Sequence, residues 1–402
     1  MNLGIVGLGE QLCRRHLPAL ANLQIVPVAV YDPDSAAVDR FKLRFRELFP
    51  NQNIPTVTGT LHKLARQVDV VDVVIPPDAH LAVFSVLIQE RVMFLCEKPF
   101  CRSWPEAVHV AKQASSSGVA ARYLENWIFD PVVFDLEAVI HSGDIGTLQR
   151  ISVQFPNAGL SIYPEQSPWR SQAGKGGALL DWGSHAAGLV WHLAGEDSEF
   201  LSACAIDIRA SRHRSLVSGT FRDVEVEDIA RFELTFERPE GRTILANIDS
   251  SWHPPWIWSP GYSYRVLRVD ASKGAADISV ENTPEGRRYR LAIENLNGHR
   301  QEIDLGLLKR YDPTASAINN ALKSLVHESL PHPESNLDFG ITVQLMLGTA
   351  RLSSAQGQAV KAGDFVAWCQ RFTSEASSPD EAWNNALATL RTNINDAFSR
   401  RL

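Results

Sequence analysis

The chain has few cysteines, no long apolar run and no excess of positive charge, and each shortage removes a class of function. Its five cysteines, Cys13, Cys96, Cys101, Cys204 and Cys369, are scattered over 402 residues. They are odd in number and no two form a C-x-x-C pair. A disulfide framework is therefore not expected, no metal site is expected, and a reducing cytoplasm is the expected setting. No stretch reaches the roughly twenty apolar residues that cross a bilayer. The first residues read directly as a core strand, which leaves no room for a signal peptide. A formal net charge of −7 with no basic cluster argues against nucleic acid as a partner, because phosphate binding needs concentrated positive charge. What is present is a 45% hydrophobic and 21% charged composition, that of a soluble globular protein. The length suits two domains better than one core.

The chain is organised around its opening. Leu3-Gly4-Ile5-Val6 is a short apolar strand signal, followed by Gly7-Leu8-Gly9-Glu10-Gln11-Leu12 and a helix-like stretch to Leu20. Glycines in such a turn let the backbone approach a pyrophosphate, whose charge sits on the helix N-terminus. An ordinary glycine turn would look the same, and Leu12 stands where the pattern asks for a third glycine. The next apolar run, 25–31, reads as a buried strand ending at Asp32, where a carboxylate accepts ribose hydroxyls and repels a 2′-phosphate. Asp34 is an alternative carrier of that role. NAD is therefore the expected cofactor, with NADP left open.

Strand and helix signals then alternate. Val70 to Ile75 is a β-branched run that stops at Pro76-Pro77, and His80 follows as either a helix-start residue or a nucleotide contact. The strand 92–96 leads into Glu97-Lys98-Pro99, where the proline restricts the backbone before it. By composition alone Lys98 would be a solvated loop lysine. Helix 105–117 and strand 119–124 complete a doubly wound pattern, and the first domain is drawn over 1–123. Beyond it, strand candidates at 151–155, 200–208, 228–236, 243–252, 264–269 and 276–280 lack intervening helices, which predicts an α+β domain with a mostly antiparallel sheet over 124–370. Helices are expected near 130–141, 177–193, 314–328 and 337–356. A polar linker at 374–379 precedes Trp383, Leu387, Leu390, Ile394 and Phe398, one apolar face of a helical extension over 371–402. Its mixed charges favour packing on protein over membrane.

The stretch 169–185 carries the chemistry. Glycines at 174, 176 and 177 break the chain before a helix with Asp181 and His185 four residues apart, on one face. A histidine works as a general base near neutral pH and a carboxylate one turn away can orient it, although a structural i, i+4 pair has the same spacing. His192 extends that face, but the spacing matches no zinc motif. Lys175 is either a solvated lysine or a contact for an acidic substrate group.

Taken together, the glycine turn with His16 beyond it, the strand ending at Asp32, the Pro76-Pro77-x-x-His80 loop, Glu97-Lys98-Pro99, Glu125-Asn126 with Asp130-Pro131, and Trp169-Arg170 followed by Gly176-Gly177-x-Leu179-x-Asp181-x-Gly183-x-His185 resemble the Gfo/Idh/MocA oxidoreductases. The resemblance implies a Rossmann domain followed by a large open sheet. It implies cofactor contacts at Gly7, Gly9, Glu10, Gln11, Leu12, Asp32, Pro76, Pro77, His80, Glu97, Lys98 and Asn126. Lys98 would touch the substrate hydroxyl and nicotinamide ribose, His185 would be the general base, and Asp181 its substrate-positioning partner. Gly188 departs from the aspartate many relatives carry. Trp127, Tyr163, Trp169 and Arg170 are expected to line a pocket, where flat rings bury sugar C–H faces. Trp252, Trp256, Trp258 and Tyr262 are candidates for that pocket or for an interface. The resemblance implies a homodimer or homotetramer through the second-domain sheet, no nucleic acid or membrane partner, and a small sugar-like or cyclitol-like substrate. The expected activity is NAD(H)-dependent interconversion of a secondary alcohol and a ketone. Two alternatives are a lyase, glycosidase or dehydratase that retains its NAD, and a non-catalytic nucleotide- and sugar-sensing regulator or assembly subunit.

Overall fold

A computed structural model describes residues 1–155, 159–162, 168–195, 197–211, 214–217, 220–252, 259–307, 312–326, 336–373, 376, 381 and 384–386. Cα proximity groups them into two compact units: Met1–Phe129 with Asp312–Thr342, and Asp130–Tyr311 with Val343–Leu402.

The first unit alternates β1 (Leu3–Val6), α1 (Leu17–Asn22), β2 (Ala29–Tyr31), α2 (Ser35–Leu48), β3 (Thr56–Val57), α3 (Leu61–Ala65), β4 (Val70–Val73), α4 (Pro77–Gln89), β5 (Met93–Glu97), α5 (Trp104–Ser116) and β6 (Ala121–Leu124). The six strands pair in parallel in the order β3-β2-β1-β4-β5-β6. That is the expected doubly wound sheet, whose sequence order reverses beside β1. The apolar runs are buried along β1 and β4 because helices cover both faces of such a sheet. Two of the departures from the sequence reading have a local cause. The run 25–31 forms strand only from Ala29, beyond Pro27, which has no N–H to give a ladder. The helix after the glycine turn opens as a π-helical turn, Leu12–His16, before becoming α1.

The second unit comprises α6 (Pro131–Ser142), β7 (Leu148–Gln154), α7 (Ala178–Ala194), β8 (Glu199–Arg209), β9 (Arg214–Val217), β10 (Thr220–Asp223), β11 (Ile229–Glu237), β12 (Thr243–Asp249), β13 (Ser263–Ala271), β14 (Gly274–Thr283), β15 (Gly286–Asn295) and β16 (Arg300–Leu307). The chain continues through α8 (Pro313–Val326), α9 (Leu337–Gln356), β17 (Val360–Lys361) and α10 (Ala362–Thr373). Nine strands form one sheet in the order β16-β15-β14-β13-β7-β12-β11-β8-β17, antiparallel except where β12 runs parallel to β7. The mostly antiparallel second sheet is thus as expected. Alternation explains it: Ala230, Phe232, Leu234 and Phe236 of β11 are buried while Arg231 and Glu237 are exposed. Strands β15 and β16 are rich in Arg, Glu and Gln, which hide the period-two signal, and β9 and β10, of 4 residues each, are too short to show one. Helix α7 lies against β7, β11 and β12 of this sheet.

Helix α8 returns to the first unit, burying Ala317, Ile318, Ala321 and Leu322. Arg122 of β6 donates from Nε to Ser324 Oγ and from Nη2 to the Ser324 carbonyl, both at 2.7 Å, capping the helix end. The linker positions 374, 375 and 377–379, with Trp383, Leu387, Leu390, Ile394 and Phe398, lie outside the described residues.

Candidate active site

In the first unit the glycine turn is built as the strand-turn-helix pattern requires. Gly7 has φ +90, and a Cβ there would stand 2.2 Å from the Val74 carbonyl oxygen, so only glycine fits against the end of β4. Gly9 differs: a Cβ on it would meet nothing within 4 Å. Open space beside a backbone turn at the carboxyl end of β1 suits a pyrophosphate. The Asp32 carboxylate is tied to this turn, with Oδ2 accepting the Leu8 N–H at 2.7 Å and Oδ1 the Asp34 N–H at 2.8 Å. Asp34 is the N-cap of α2, accepting the Ala36 N–H at 2.9 Å, so its carboxylate serves the helix. A forced glycine, an open glycine and an anchored acid at the end of β2 fit a dinucleotide with an adenosine ribose.

The remaining cofactor candidates divide by what they touch. Glu10 pairs with Arg14 at 2.6 Å on the surface. Leu12 is fully buried, a core side chain where a glycine would leave space. Gln11 Nε2 donates to Glu97 Oε1 at 3.4 Å. Pro76 caps α4 and Pro77 begins it, which puts His80 inside the helix and not in the loop. His80 is fully buried, with Nδ1 2.9 Å from the Phe100 carbonyl and Nε2 3.1 Å from the Ile75 carbonyl. Burial holds it below the ordinary histidine range. The one N–H of the neutral ring donates to one of these carbonyls, and the ring lies between the segment after β4 and the segment after β5. Lys98 is half-buried directly after β5. Asn126 Nδ2 donates to Thr314 Oγ1 of α8 at 3.3 Å, and the Trp127 N–H donates to Glu125 Oε1 at 3.1 Å.

Glu97, directly before Lys98, belongs to a buried group whose other two members, His16 and Asp72, have no role legible in the sequence. His16 is fully buried, with Nδ1 2.8 Å from Asp72 Oδ2 and Nε2 2.9 Å from Glu97 Oε1. Burial alone would lower its pKa, but Asp72 and Glu97 outweigh it and push the imidazole up to about 10. The available signals were a histidine one turn into an apolar helix and an aspartate inside a β-branched run, neither of which is satisfied without a partner.

In the second unit the turn Pro168–Ser171 places Trp169 and Arg170 before α7. Arg170 Nε donates to Asp181 Oδ2 at 3.0 Å, and its guanidinium lies 4.4 Å from the Trp169 ring centroid. Asp181 is fully buried and takes this bond on one carboxylate oxygen. His185, 6% exposed, sits on the same face of α7, its ring 5.8 Å from that of Trp182. The glycines before the helix are required by contact. A Cβ on Gly176 would stand 2.4 Å from the Arg170 carbonyl oxygen, and one on Gly177, at φ +109, would stand 2.3 Å from Glu227 Oε1. Glu227 is itself bound by Arg351 Nη2 at 3.0 Å. Lys175 is half-buried in this turn. His192 Nε2 stands 2.9 Å from Glu137 Oε1 of α6, and no metal-holding group of His, Cys, Asp or Glu occurs among the described residues. Trp252 is buried over Gly159, in the core, and Tyr262 stands 6.1 Å from the Tyr264 ring. Tyr163, Trp256 and Trp258 lie outside the described residues.

Comparison with known families decides the assignment. Residues 1–124 match the oxidoreductase family with an NAD-binding Rossmann fold, and residues 134–276 match the GFO/IDH/MocA C-terminal domain. The chain belongs to the GFO/IDH/MocA family. A relative, the D-apiose dehydrogenase of Paraburkholderia graminis, is 24% identical over 236 residues, 59% of this chain and 56% of that protein. The match thus spans a little over half of that relative's length. KijD10, a 3-ketoreductase from Actinomadura kijaniata solved with NADP and TDP-benzene, has a TM-score of 0.66 at 20% identity, covering 88% of this chain and 97% of its own. A super-repressor mutant of Gal80p from Saccharomyces cerevisiae has a TM-score of 0.70 at 16% identity, covering 91% and 98%. At these identities the two structures speak for the fold alone. No described helix is long and apolar enough to cross a membrane.

Proposed function

We propose that this protein is an NAD(H)-dependent oxidoreductase that interconverts a secondary alcohol and a ketone on a sugar, amino sugar or cyclitol. What carries the reading is the retention, in a member of this family, of Lys98 after β5 together with Asp181 and His185 one turn apart on α7. The bound nicotinamide supplies the hydride acceptor or donor. In oxidation the Lys98 ammonium donates a hydrogen bond to the reacting hydroxyl and lowers its pKa, and His185 takes the proton at its ring nitrogen. Asp181 works jointly with Arg170, whose Nε it holds, so the two read the substrate's polar groups as a pair. Trp169 and Trp127 supply flat apolar surface for C–H faces.

The test is a panel of sugars, amino sugars and cyclitols, followed by the absorbance of reduced nicotinamide. Turnover on at least one is expected. Lys98→Met should lower kcat by about 100-fold or more in protein that still binds NADH. Silence across the panel in protein shown to bind NADH would sink the proposal.

A further inference from the structure

The buried group under Glu97 reaches further than the fold requires. Both ring nitrogens of His16 face carboxylate oxygens, Asp72 Oδ2 at 2.8 Å and Glu97 Oε1 at 2.9 Å. A neutral imidazole has one N–H to donate, so two such contacts call for the doubly protonated ring. The triad then holds one positive and two negative charges, all buried, and is anionic by one. His16 belongs to the π-helical turn that follows the glycines, Asp72 to β4 and Glu97 to β5. Gln11, the residue before that turn, also donates to Glu97 Oε1. The carboxylate preceding Lys98 is thus gripped twice from the helix that begins at the nucleotide turn.

We propose that His16 is a positioning residue for Lys98, clamping Glu97 so that the end of β5 and the glycine-turn helix hold one fixed geometry. The proposal rests on the reading of Lys98 given above. The link is directional. His16 acts on Lys98 through Glu97, whereas Asp72 lies on the opposite ring nitrogen, away from Glu97. Asp72→Asn keeps an acceptor for Nδ1–H and removes the surplus negative charge, leaving His16 and Glu97 as a neutralised pair.

The test uses the full chain and no turnover, so a silent substrate panel does not bear on it. Lysines are reductively methylated with ¹³C, the Lys98 signal is identified by its loss in Lys98→Arg, and NADH binding is measured by nucleotide fluorescence. His16→Gln should move the Lys98 signal toward that of solvated lysines and raise the NADH Kd about three- to tenfold, the scale of a misplaced group. Asp72→Asn should leave both readouts within about twofold of the parent. Glu97→Ala, which leaves His16 and Asp72 as a balanced pair, should displace the Lys98 signal as His16→Gln does, and it serves where His16→Gln does not fold. An unmoved Lys98 signal in these variants, or equal displacement by Asp72→Asn, overturns the proposal and leaves the triad a structural element only.

Discussion

At the scale of single residues, His16 ties the stability of the first unit to pH. Its pKa in the folded chain, about 10, lies above the ordinary histidine value near 6.5. A group whose folded pKa is raised contributes stability that is full below about pH 6.5 and is lost as pH climbs toward 10. The melting temperature should therefore fall across that window. His16→Gln should start lower and lose most of the slope, as thermal denaturation at a series of pH values would record. A slope unchanged in the variant would show that another group titrates there. The same scale separates Asp32 from Asp34. Both are acidic at the end of β2, yet Asp32 is bonded to the glycine turn and Asp34 caps α2, a distinction that spacing alone left open.

At the scale of elements, glycines before α1 and α7 do different work. Gly9 faces open space, so Gly9→Ala should cost no more than about 1 kcal/mol of stability yet weaken NADH binding about tenfold or more, since the added methyl occupies the room a pyrophosphate needs. Gly177 is strained for any other residue and closed off by Glu227. Gly177→Ala should cost about 2–4 kcal/mol and reduce activity by displacing the first turn of α7, on which Asp181 rides. Denaturant unfolding and fluorescence titration of both variants check the contrast, and equal stability losses would contradict it. The elements themselves were legible where the period was clean, as in β4 and α7. They were missed in β15 and β16, where charged residues paired across strands, Arg288 with Asp304 and Arg290 with Glu281, replace the apolar alternation.

At the scale of the whole molecule, the two units are not consecutive pieces of chain. Helix α8, distant in sequence, covers the first unit beside β6 and takes the Arg122 cap. A fragment of residues 1–129 should therefore expose the apolar surface that Ile318 and Leu322 cover and be aggregation-prone or molten, despite containing every Rossmann strand. Supplying α8 in a linked fragment should restore a cooperative transition and NADH binding. A well-folded 1–129 with full affinity would show that the return of α8 is dispensable. The domain boundary drawn along the sequence near 123 says nothing of this return, because a linear reading registers composition and not which distant helix covers a strand.

The sequence by itself determined the class of fold, the glycine turn, the acid at the end of the second strand and the pair on α7, since these follow from periodicity and from local backbone demands. Tertiary structure alone decided which side chains neutralise one another. Arg170 came to hold Asp181, and His16 came to bridge Asp72 and Glu97, residues far apart in the chain. Burial explains the difference. A charge removed from water must find a partner wherever the fold brings one, and no local rule of spacing encodes which strand will deliver it.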